Sequence, residues 1–376
     1  MDIKNILKGY KGGKITIGVL GGHSALDVCH GATKYGFDTV VVCQKGREKT
    51  YEKYYRKRKG IDGKKIGCVG NIILVDKFAD IVKESVQKEL RSLNTIFIHN
   101  RYFWVYCDFA EIEKEFKVPI FGLREAVKLE ERDQPNNQYV LLKKAGIRIP
   151  KIFKSAKEID RLAIVKVNEA QRGYERAFFF ADSESKYKDE SKKLLKAGII
   201  KESDLKKAVI EEYIVGAHIN LNYFYSALTD EVELMGTDTR RQTNLDGFLR
   251  LPAYEQGLVR KHMEPKMIET GHYGVTMKES LVEKALMLGE KFVETMKKEA
   301  PPGIIGPFAL QGAVVAESGK EEFVIFDVSM RIPGSPGTKF TPYSGYLYGE
   351  SISYGERIAM EISHAVKEHR LAEILT

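Results

Sequence analysis

The stretch from Gly306 to Tyr343 decides the fold of this chain, and it reads GPFALQGAVVAESGKEEFVIFDVSMRIPGSPGTKFTPY. Two apolar, β-prone runs, Ala309–Ala316 and Glu322–Met330, are joined by a short polar turn, which predicts a β-hairpin. If Gln311 and Asp327 face the same side of that hairpin, they lie close together. The hairpin is therefore the first place to look for a site.

The second strand of this hairpin also carries a polar face. Period-two spacing places Asp327, Ser329 and Arg331 on the same side. A carboxylate holds a hard cation through oxygen, and a guanidinium binds phosphate oxygens, so the face suits a magnesium–nucleotide site. The alternative is a strand with a solvated, charged face. The Gly334–Gly337 loop that follows favours the ligand site, because binding residues concentrate on loops.

Composition places the chain among ordinary soluble globular proteins. It has 376 residues, 43% hydrophobic and 30% charged, with a formal net charge of +8. That length predicts two or three domains or subdomains, and the charge suits an anionic ligand or nucleic acid. The N-terminus lacks an apolar signal core and no run is long enough to span a membrane, so we expect a cytoplasmic protein. The four cysteines show no metal-ligand spacing.

The N-terminal third alternates short apolar strands with helices, which predicts an open parallel α/β domain. Ile15–Leu20 reads as a buried strand, followed by Gly21-Gly22-His23-Ser24 and a helix to about Tyr35. Ser24 is a candidate N-cap, and backbone N–H groups at such a turn bind phosphate. His23 stands where α/β proteins bind ligands, although a lone histidine is more often structural.

A basic run follows the second predicted strand, Thr39–Cys43. Ten Lys or Arg lie between Lys45 and Lys65, interleaved with tyrosines. Such a run can bind RNA, but a solvated excursion between strands is the preferred interpretation.

The pattern changes after a polar linker at Asp133–Asn137. Gln138–Lys144 predicts a short helix, and Leu162–Val167 and Val209–Val215 predict strands. Lys166 ends one strand and can reach phosphates as a point charge. Glu211–Val215 on the later strand can offer backbone groups to an adenine edge. We expect both to lie close to Asp327.

Several of these pieces occur together in the order of ATP-grasp ligases, which the chain resembles. The motifs are Lys166, Glu211-Glu212-Tyr213-Ile214, Gly306-Pro307-Phe308 and Phe326-Asp327-Val328-Ser329-Met330-Arg331. Over nearly its whole length the chain is more specifically similar to the archaeal PurP family of formate-dependent synthetases. The segments that carry this likeness are Gly22-His23-Ser24, Lys45-Gly46-Arg47, Asn244-Leu245-Asp246-Gly247, Arg250-Leu251-Pro252-Ala253, Pro301-Pro302-Gly303 and Pro342-Tyr343-Ser344.

The resemblance implies a fold and a reaction. The fold is an N-terminal open parallel α/β domain (residues 1–133) followed by an ATP-grasp fold (134–376), which has a subdomain at about 150–215 and a C-terminal lobe. The reaction converts AICAR (5-aminoimidazole-4-carboxamide ribonucleotide), formate and ATP to the formylated nucleotide in purine (IMP) biosynthesis. It uses Mg²⁺ or Mn²⁺, and the family suggests a homo-oligomer.

The resemblance also implies roles for individual residues. Gln311 and Asp327 would bind the metal, and Arg331 would be catalytic. The ATP-binding residues would be Lys166, Glu211, Glu212, Tyr213, Ile214 and Gln242. The substrate-binding residues would be His23, Arg101, Tyr102, Asn244 and His272. Because formyl phosphate hydrolyses easily, we expect a lid, for which Asn168–Arg176 is the candidate.

Several positions differ from the family pattern, on both the ATP side and the substrate side. The phosphate loop Asn168–Arg176 has one glycine, and a helix lysine is replaced at Gln138 or Val140. At other positions this chain replaces the family's residue: Arg101-Tyr102 stands where the family has Gly-Ser, Gln242 where it has Glu, His272 where it has Asn, and Asp327 where it has Glu. The sequence therefore leaves three hypotheses: the ligase; a relative with another substrate or without catalysis that binds nucleotides as a regulator; and RNA binding through Lys45–Lys65.

Overall fold

The computed structural model describes residues 3–10, 14–131, 134–167, 178–317, 319–334 and 337–376. Its strands are β1 (Thr16–Leu20), β2 (Asp38–Gln44), β3 (Arg58–Lys59), β4 (Lys65–Ile66), β5 (Asn71–Val75), β6 (Thr95–Ile98), β7 (Ile120–Phe121), β8 (Ile152–Phe153), β9 (Ala163–Lys166), β10 (Phe178–Ala181), β11 (Val209–Glu212), β12 (Ala217–Ser226), β13 (Glu231–Gln242), β14 (Glu269–Gly274), β15 (Gly306–Glu317) and β16 (Lys320–Ser329).

The α-helices are α1 (Ile3–Lys8), α2 (Ala25–Lys34), α3 (Glu84–Ser92), α4 (Arg101–Tyr106), α5 (Phe109–Lys114), α6 (Gln138–Lys144), α7 (Glu184–Lys196), α8 (Glu202–Leu205), α9 (Thr243–Phe248), α10 (Ala253–Val259), α11 (Glu279–Glu299), α12 (Tyr343–Tyr348) and α13 (Tyr354–Lys367). Short 3₁₀ helices at Phe78–Val82 and Ala126–Glu130 complete the elements that border the site.

The N-terminal part is an open parallel sheet, as predicted. Its strand order is β5-β2-β1-β6-β7, and every pairing is parallel. All five residues of β1 are buried, because helices cover both faces of such a sheet. The carboxyl ends of β1 and β6 therefore meet at one edge, where ligands bind in open α/β sheets.

Two antiparallel sheets form the rest of the chain. One has the order β10-β9-β11-β8, and the other has the order β14-β13-β12-β15-β16. The predicted hairpin is β15–β16, and its register places Gln311 directly opposite Asp327. The register shifts between Gln311 and Gly312, so Phe326 is the extra residue of a β-bulge. Bulges of this kind re-aim neighbouring side chains.

Several local predictions were wrong in detail. Ser24 precedes α2 but does not cap it: its φ is 62° and its hydroxyl donates to the Pro333 carbonyl at 2.6 Å. The strand expected over Val209–Val215 ends at Glu212. The proposed lid, 168–176, lies outside the described residues, as do Ser335 and Pro336 of the glycine loop.

The end of the chain returns to the N-terminal sheet. Helix α13 crosses α2 where two glycines meet, and a Cβ on Gly31 would lie 2.0 Å from the Gly355 carbonyl carbon. Thr376 and Ile120 exchange backbone hydrogen bonds at 2.9 and 3.0 Å. One apolar cluster holds Ile17 of the first sheet with Phe224 of the last. These contacts fix helix α13 and the end of the chain against helix α2 and the parallel sheet.

Candidate functional site

The site lies where the carboxyl edge of the parallel sheet meets the end of the hairpin. Asn100, after β6, donates to the carbonyls of Leu20 and His23 at 2.8 and 3.0 Å and so shapes the turn after β1. Ser24 ties that turn to Pro333. Gly334 lies so close that a Cβ there would be 2.6 Å from His23 Nδ1. His23 is therefore held beside the residues that follow β16.

The predicted metal-binding pair presents two oxygens to a cation. The Gln311 amide donates to Ser329 Oγ at 3.0 Å, which fixes the amide orientation. Its Oε1 accepts a hydrogen bond from Arg240, whose Nη2 is 3.8 Å from Asp327 Oδ2. An amide oxygen and a carboxylate facing one position suit Mg²⁺, which keeps several waters and adds phosphate oxygens. Within the described ranges, no group of three or more His, Cys, Asp or Glu could hold a metal by itself.

The predicted phosphate-binding lysine lies beside the strand that carries Asp327. Lys166 forms an ion pair with Glu211, whose side chain is 2% exposed, and lies 3.4 Å from the Tyr139 hydroxyl. Lys166 Nζ is 5.8 Å from the ring centroid of Phe326, the residue before Asp327. Lys166 therefore lies beside β16, the strand that carries Asp327.

Helix α6 contributes to the site in a way that the sequence did not reveal. Tyr139, between the two positions considered for the missing lysine, donates to Glu211. Gln138 is buried, accepts from Val328 N at 2.7 Å and donates to the Glu130 carbonyl at 2.6 Å. Gln138 thus anchors the helix to β16, and a tyrosine fills the space beside Lys166.

The acidic segment after Lys166 is largely engaged with protein. Glu212 accepts from Arg161 and from the Lys151 backbone, each at 3.2 Å. The backbone N–H groups of Glu212 and Tyr213 donate to the carbonyls of Lys151 and Leu162. The Tyr213 ring packs on Phe180 at 4.9 Å. Because these two N–H groups are already paired, an adenine base bound here would have to form hydrogen bonds with other backbone groups.

Three other predicted residues of this segment and of β13 have internal partners. Ile214 is buried in a small apolar cluster. Gln242, at the end of β13, donates through its backbone to Asp246 at 3.1 Å and through its side chain to Met267 at 3.5 Å. Asn244 accepts from Lys266 N at 2.5 Å. Gln242 and Asn244 thus anchor the segment between residues 243 and 268.

Three predicted substrate residues come together. The His23 and Tyr102 rings are 5.2 Å apart, and Arg101 begins helix α4 beside them. A Cβ on Gly22 would lie 2.4 Å from the Tyr102 ring, so this turn requires glycine. Burial lowers the pKa of His23, Glu269 raises it, and the charges of Arg331 and Arg101 lower it further. The imidazole therefore faces both cations and Glu269.

Arg331 follows the end of β16, between the strand that carries Asp327 and the residues that lie beside His23. Its Nη1 donates to the Ile332 carbonyl at 3.3 Å and its Nη2 is 3.7 Å from Glu130 Oε2. Its Nε is buried and has no hydrogen-bond partner among the described residues. Burial raises the pKa of Glu130 to about 6, against the lowering effect of Arg331. The sequence reasoning missed Glu130, which belongs to no motif.

A second cluster that the sequence reasoning missed surrounds His272. Its ring nitrogens lie 2.5 Å from Asp238 Oδ2 and 2.9 Å from Glu269 Oε1. Glu269 Oε2 is 3.2 Å from Arg240 Nε, which links this cluster to the predicted metal-binding pair. Period-two spacing of Asp238 and Arg240 was visible, but their partners on β14 were not predicted.

Comparisons with known proteins identify the family. A model described as "Domain of unknown function (DUF1297)" matches residues 186–376, and one described as "Protein of unknown function (DUF1246)" matches 17–153. The 5-formaminoimidazole-4-carboxamide-1-(beta)-D-ribofuranosyl 5'-monophosphate synthetase of Methanothermobacter thermautotrophicus is 40% identical, with 100% of this chain and 98% of the relative covered. The chain belongs to this synthetase family. The synthetase of the same name from Methanocaldococcus jannaschii is 36% identical, with 100% and 99% covered.

Comparison with solved structures shows that this chain has the ATP-grasp fold. The IMP biosynthesis protein PurP from Thermococcus kodakaraensis gives a TM-score of 0.68 at 24% identity, covering 96% of this chain and 100% of that one. An ADP complex of N5-carboxyaminoimidazole ribonucleotide synthetase gives 0.55 at 12% identity, covering 86% and 71%. The predicted ATP-grasp fold and PurP resemblance are confirmed.

The comparisons also bear on the remaining hypotheses. Identities of 35–40% over the full chain do not favour the alternative of a relative with another substrate or without catalysis. Among the described residues, no helix combines the length and apolar character needed to cross a membrane.

Proposed function

We propose that this chain is an ATP-dependent carbon–nitrogen ligase that formylates AICAR with formate in purine biosynthesis. The products are the formylated nucleotide, ADP and phosphate. The observation that carries the proposal is the approach of Lys166, on β9, to the β15–β16 hairpin, which carries the Gln311–Asp327 pair and continues through Arg331 to Gly334 beside His23. This arrangement occurs in a chain 40% identical to a named synthetase.

The chemistry has two steps. A formate oxygen attacks the γ-phosphorus of ATP, the bond to the bridging oxygen breaks, and ADP leaves with formyl phosphate formed. The AICAR amine then attacks the formyl carbon, loses a proton, and phosphate leaves with its C–O bond broken. Such chemistry depends on positioning and charge neutralisation.

The residues divide these tasks. Lys166 holds ATP phosphates, and Arg331 neutralises charge on the transferred phosphoryl group, for which its buried Nε is available. His23 and Arg101 bind the ribonucleotide phosphate, with the N–H groups of the turn after β1 alongside. Glu130 holds Arg331 in place.

We further propose that Asp327 and Gln311 hold Mg²⁺ or Mn²⁺. The donors fit, because both oxygens already face the Arg240 guanidinium. When bound, the metal would neutralise phosphate charge. Arg240 would then give up its bond to Gln311 and turn towards phosphate oxygens, as arginines do.

The test is an assay of the purified protein with ATP, formate and AICAR. We expect ADP and the formylated nucleotide to form in equal amounts, and each omission to stop both. The variant Lys166→Met should lose most of the activity, whereas Lys278→Met, at an exposed surface ion pair, should keep it. The proposal fails if no ADP release depends on AICAR and formate together. ATP binding without turnover would favour the regulator.

The remaining proposals concern assembly and organisation. We propose a homo-oligomer, supported by helices α9 and α10, which bury no residue of their own and expose Leu249 and Tyr254 by 62% and 75%. Light scattering of wild type and Tyr254→Arg tests it, and a monomeric wild type contradicts it. We also retain the division at about residue 133. The cytoplasmic location and the solvated role of Lys45–Lys65 stay predictions.

A further inference from the structure

The imidazole of His272 is clamped between two carboxylates. Nδ1 lies 2.5 Å from Asp238 Oδ2, and Nε2 lies 2.9 Å from Glu269 Oε1. The His272 side chain is 8% exposed and that of Asp238 is fully buried. Both ring nitrogens thus lie at ion-pair distance from a carboxylate of the protein, whereas the family resemblance implied a contact between His272 and the substrate.

Two carboxylates at ion-pair distance from one imidazole favour its charged form. A neutral histidine has one N–H and no charge, whereas the imidazolium has two N–H groups and a positive charge that both carboxylates can share. The charged groups facing the ring are Asp238 and Glu269, with Arg240 across the strand pair and His23 across the cleft. Burial lowers the pKa of His272, but its hydrogen bonds to the two carboxylates raise it to about 9.

The cluster leads directly to the metal-binding pair. Arg240 lies opposite His272 in the β13–β14 register. Glu269 holds Arg240 Nε at 3.2 Å, and Arg240 bonds Gln311 and approaches Asp327. Glu269 thus contacts two cations. One is His272, a predicted substrate residue, and the other is Arg240, which contacts the predicted metal-binding pair.

We propose that His272 is a positioning residue that acts, as a fixed cation, through Glu269 and Arg240. It holds Glu269 against Arg240 and so keeps Gln311 and Asp327 oriented for the metal–nucleotide complex. The proposal deepens the proposed function and rests on it for the identity of the ligand.

The charge is the essential property of the ring. Without it, Asp238 and Glu269 repel each other across a mostly buried space, and Glu269 turns away. Arg240 then loses one anchor and moves towards Asp327, where it competes with the metal. The asparagine that the family pattern has at this position supplies a donor but no charge.

The first test measures Mg²⁺ affinity of the ADP-saturated protein by calorimetry. We expect His272→Asn to weaken Mg²⁺ binding about tenfold or more, the usual effect of losing an outer-shell partner. Glu269→Gln should do the same. The matched control is His364→Asn, whose ring lies 2.9 Å from Glu368 on an exposed helix face and should change nothing. A change below twofold in both site variants overturns the proposal.

The second test reads the charge itself. In ¹⁵N-histidine NMR of the full chain, the signals lost in His272→Asn identify the ring. At pH 7.5 both ring nitrogens of His272 should be protonated. Glu269→Gln should lower the pH at which the imidazolium loses one of these two protons and becomes neutral. A neutral His272 ring at pH 7.5 in the wild-type protein overturns the proposal, even if the Glu269→Gln variant fails to fold. Absence of AICAR formylation would instead refute only the proposed reaction, because both measurements need no turnover.

Discussion

Arg357 should contribute strongly to stability, because it neutralises two buried carboxylates between helix α13 and the last sheet. Its Nε and Nη2 donate to both oxygens of Glu233 at 2.8 and 2.7 Å, and its Nη1 donates to Glu361 at 2.9 Å. The side chains are 5%, 9% and 4% exposed, respectively. The guanidinium also lies 4.1 Å from the Phe224 ring centroid.

The substitution Arg357→Met keeps most of the volume and removes the charge. It leaves Glu233 and Glu361 buried, adjacent and unpaired, and breaking a buried pair in this way costs about 3–5 kcal/mol. The loss of the cation–π contact adds about 1 kcal/mol. Because Ser226 still donates to Glu361 at 2.8 Å, we expect a total near the lower end of the summed range, about 4 kcal/mol.

Arg148 provides a matched control at the surface. It also bonds two carboxylates, Glu317 at 2.9 Å and Glu322 at 3.0 Å, but the three side chains are 38%, 58% and 52% exposed. Solvent already screens these charges, so Arg148→Met should cost less than about 1 kcal/mol. The two variants remove the same number of ion pairs and differ in burial.

The assay is urea unfolding, followed by circular dichroism and by fluorescence of Trp104. The free energies are compared where the two signals give coincident transitions. In Arg357→Met the two carboxylates are left buried without a counter-charge, and this penalty applies only while they are ionised. Because acid protonates carboxylates, the destabilisation should be smaller at pH 5.5 than at pH 8. Equal losses in the two variants, or a loss independent of pH, would refute the reasoning.

Three further predictions concern the site and its support. Asp327→Asn should abolish the Mg²⁺-dependent gain in ATP affinity in calorimetry with the melting temperature unchanged, because it removes the anionic ligand and keeps the shape; an unchanged affinity contradicts the assignment. Arg101→Ala should weaken AICAR binding by about 1.5–3 kcal/mol in calorimetry, the worth of a charge-assisted hydrogen bond, and an effect below about 0.5 kcal/mol would remove it from the site. Gly31→Ala should destabilise by at least about 1–3 kcal/mol in urea, because its Cβ meets the Gly355 backbone. Gly257→Ala, a helical control with nothing within 4 Å, should not destabilise, and equal losses would refute the packing argument.

The parts of the fold set by local patterns could be predicted from the sequence. Helix α6 begins and ends where the sequence predicted it, since a side-chain cap at Asn137 starts it. The hairpin pairing of Gln311 with Asp327 followed from period-two spacing and a short turn, which together fix register. Lys166 next to the hairpin followed from the family order of motifs.

Contacts between distant segments were not accessible in the same way. Ser24 has the composition of an N-cap, yet its hydroxyl reaches Pro333, more than 300 residues away. Nothing around Gly31 or Gly355 indicates that their helices cross there. The tertiary contact overrides the local preference in the first case and uses the small size of glycine in the second.

The cluster around His272 shows why the site itself was only partly predictable. Alternation along β13 places Asp238 and Arg240 on one face, and this much can be read from spacing. Their partners come from β14, Glu269–Gly274, a short edge strand with two glycines and little β-propensity. Once β14 pairs with β13, His272 lies opposite Arg240 and within reach of Asp238, and its identity as histidine sets the charge. The Gln311–Asp327 pair proposed to bind the metal is therefore linked through Arg240 to a strand that the sequence pattern does not mark.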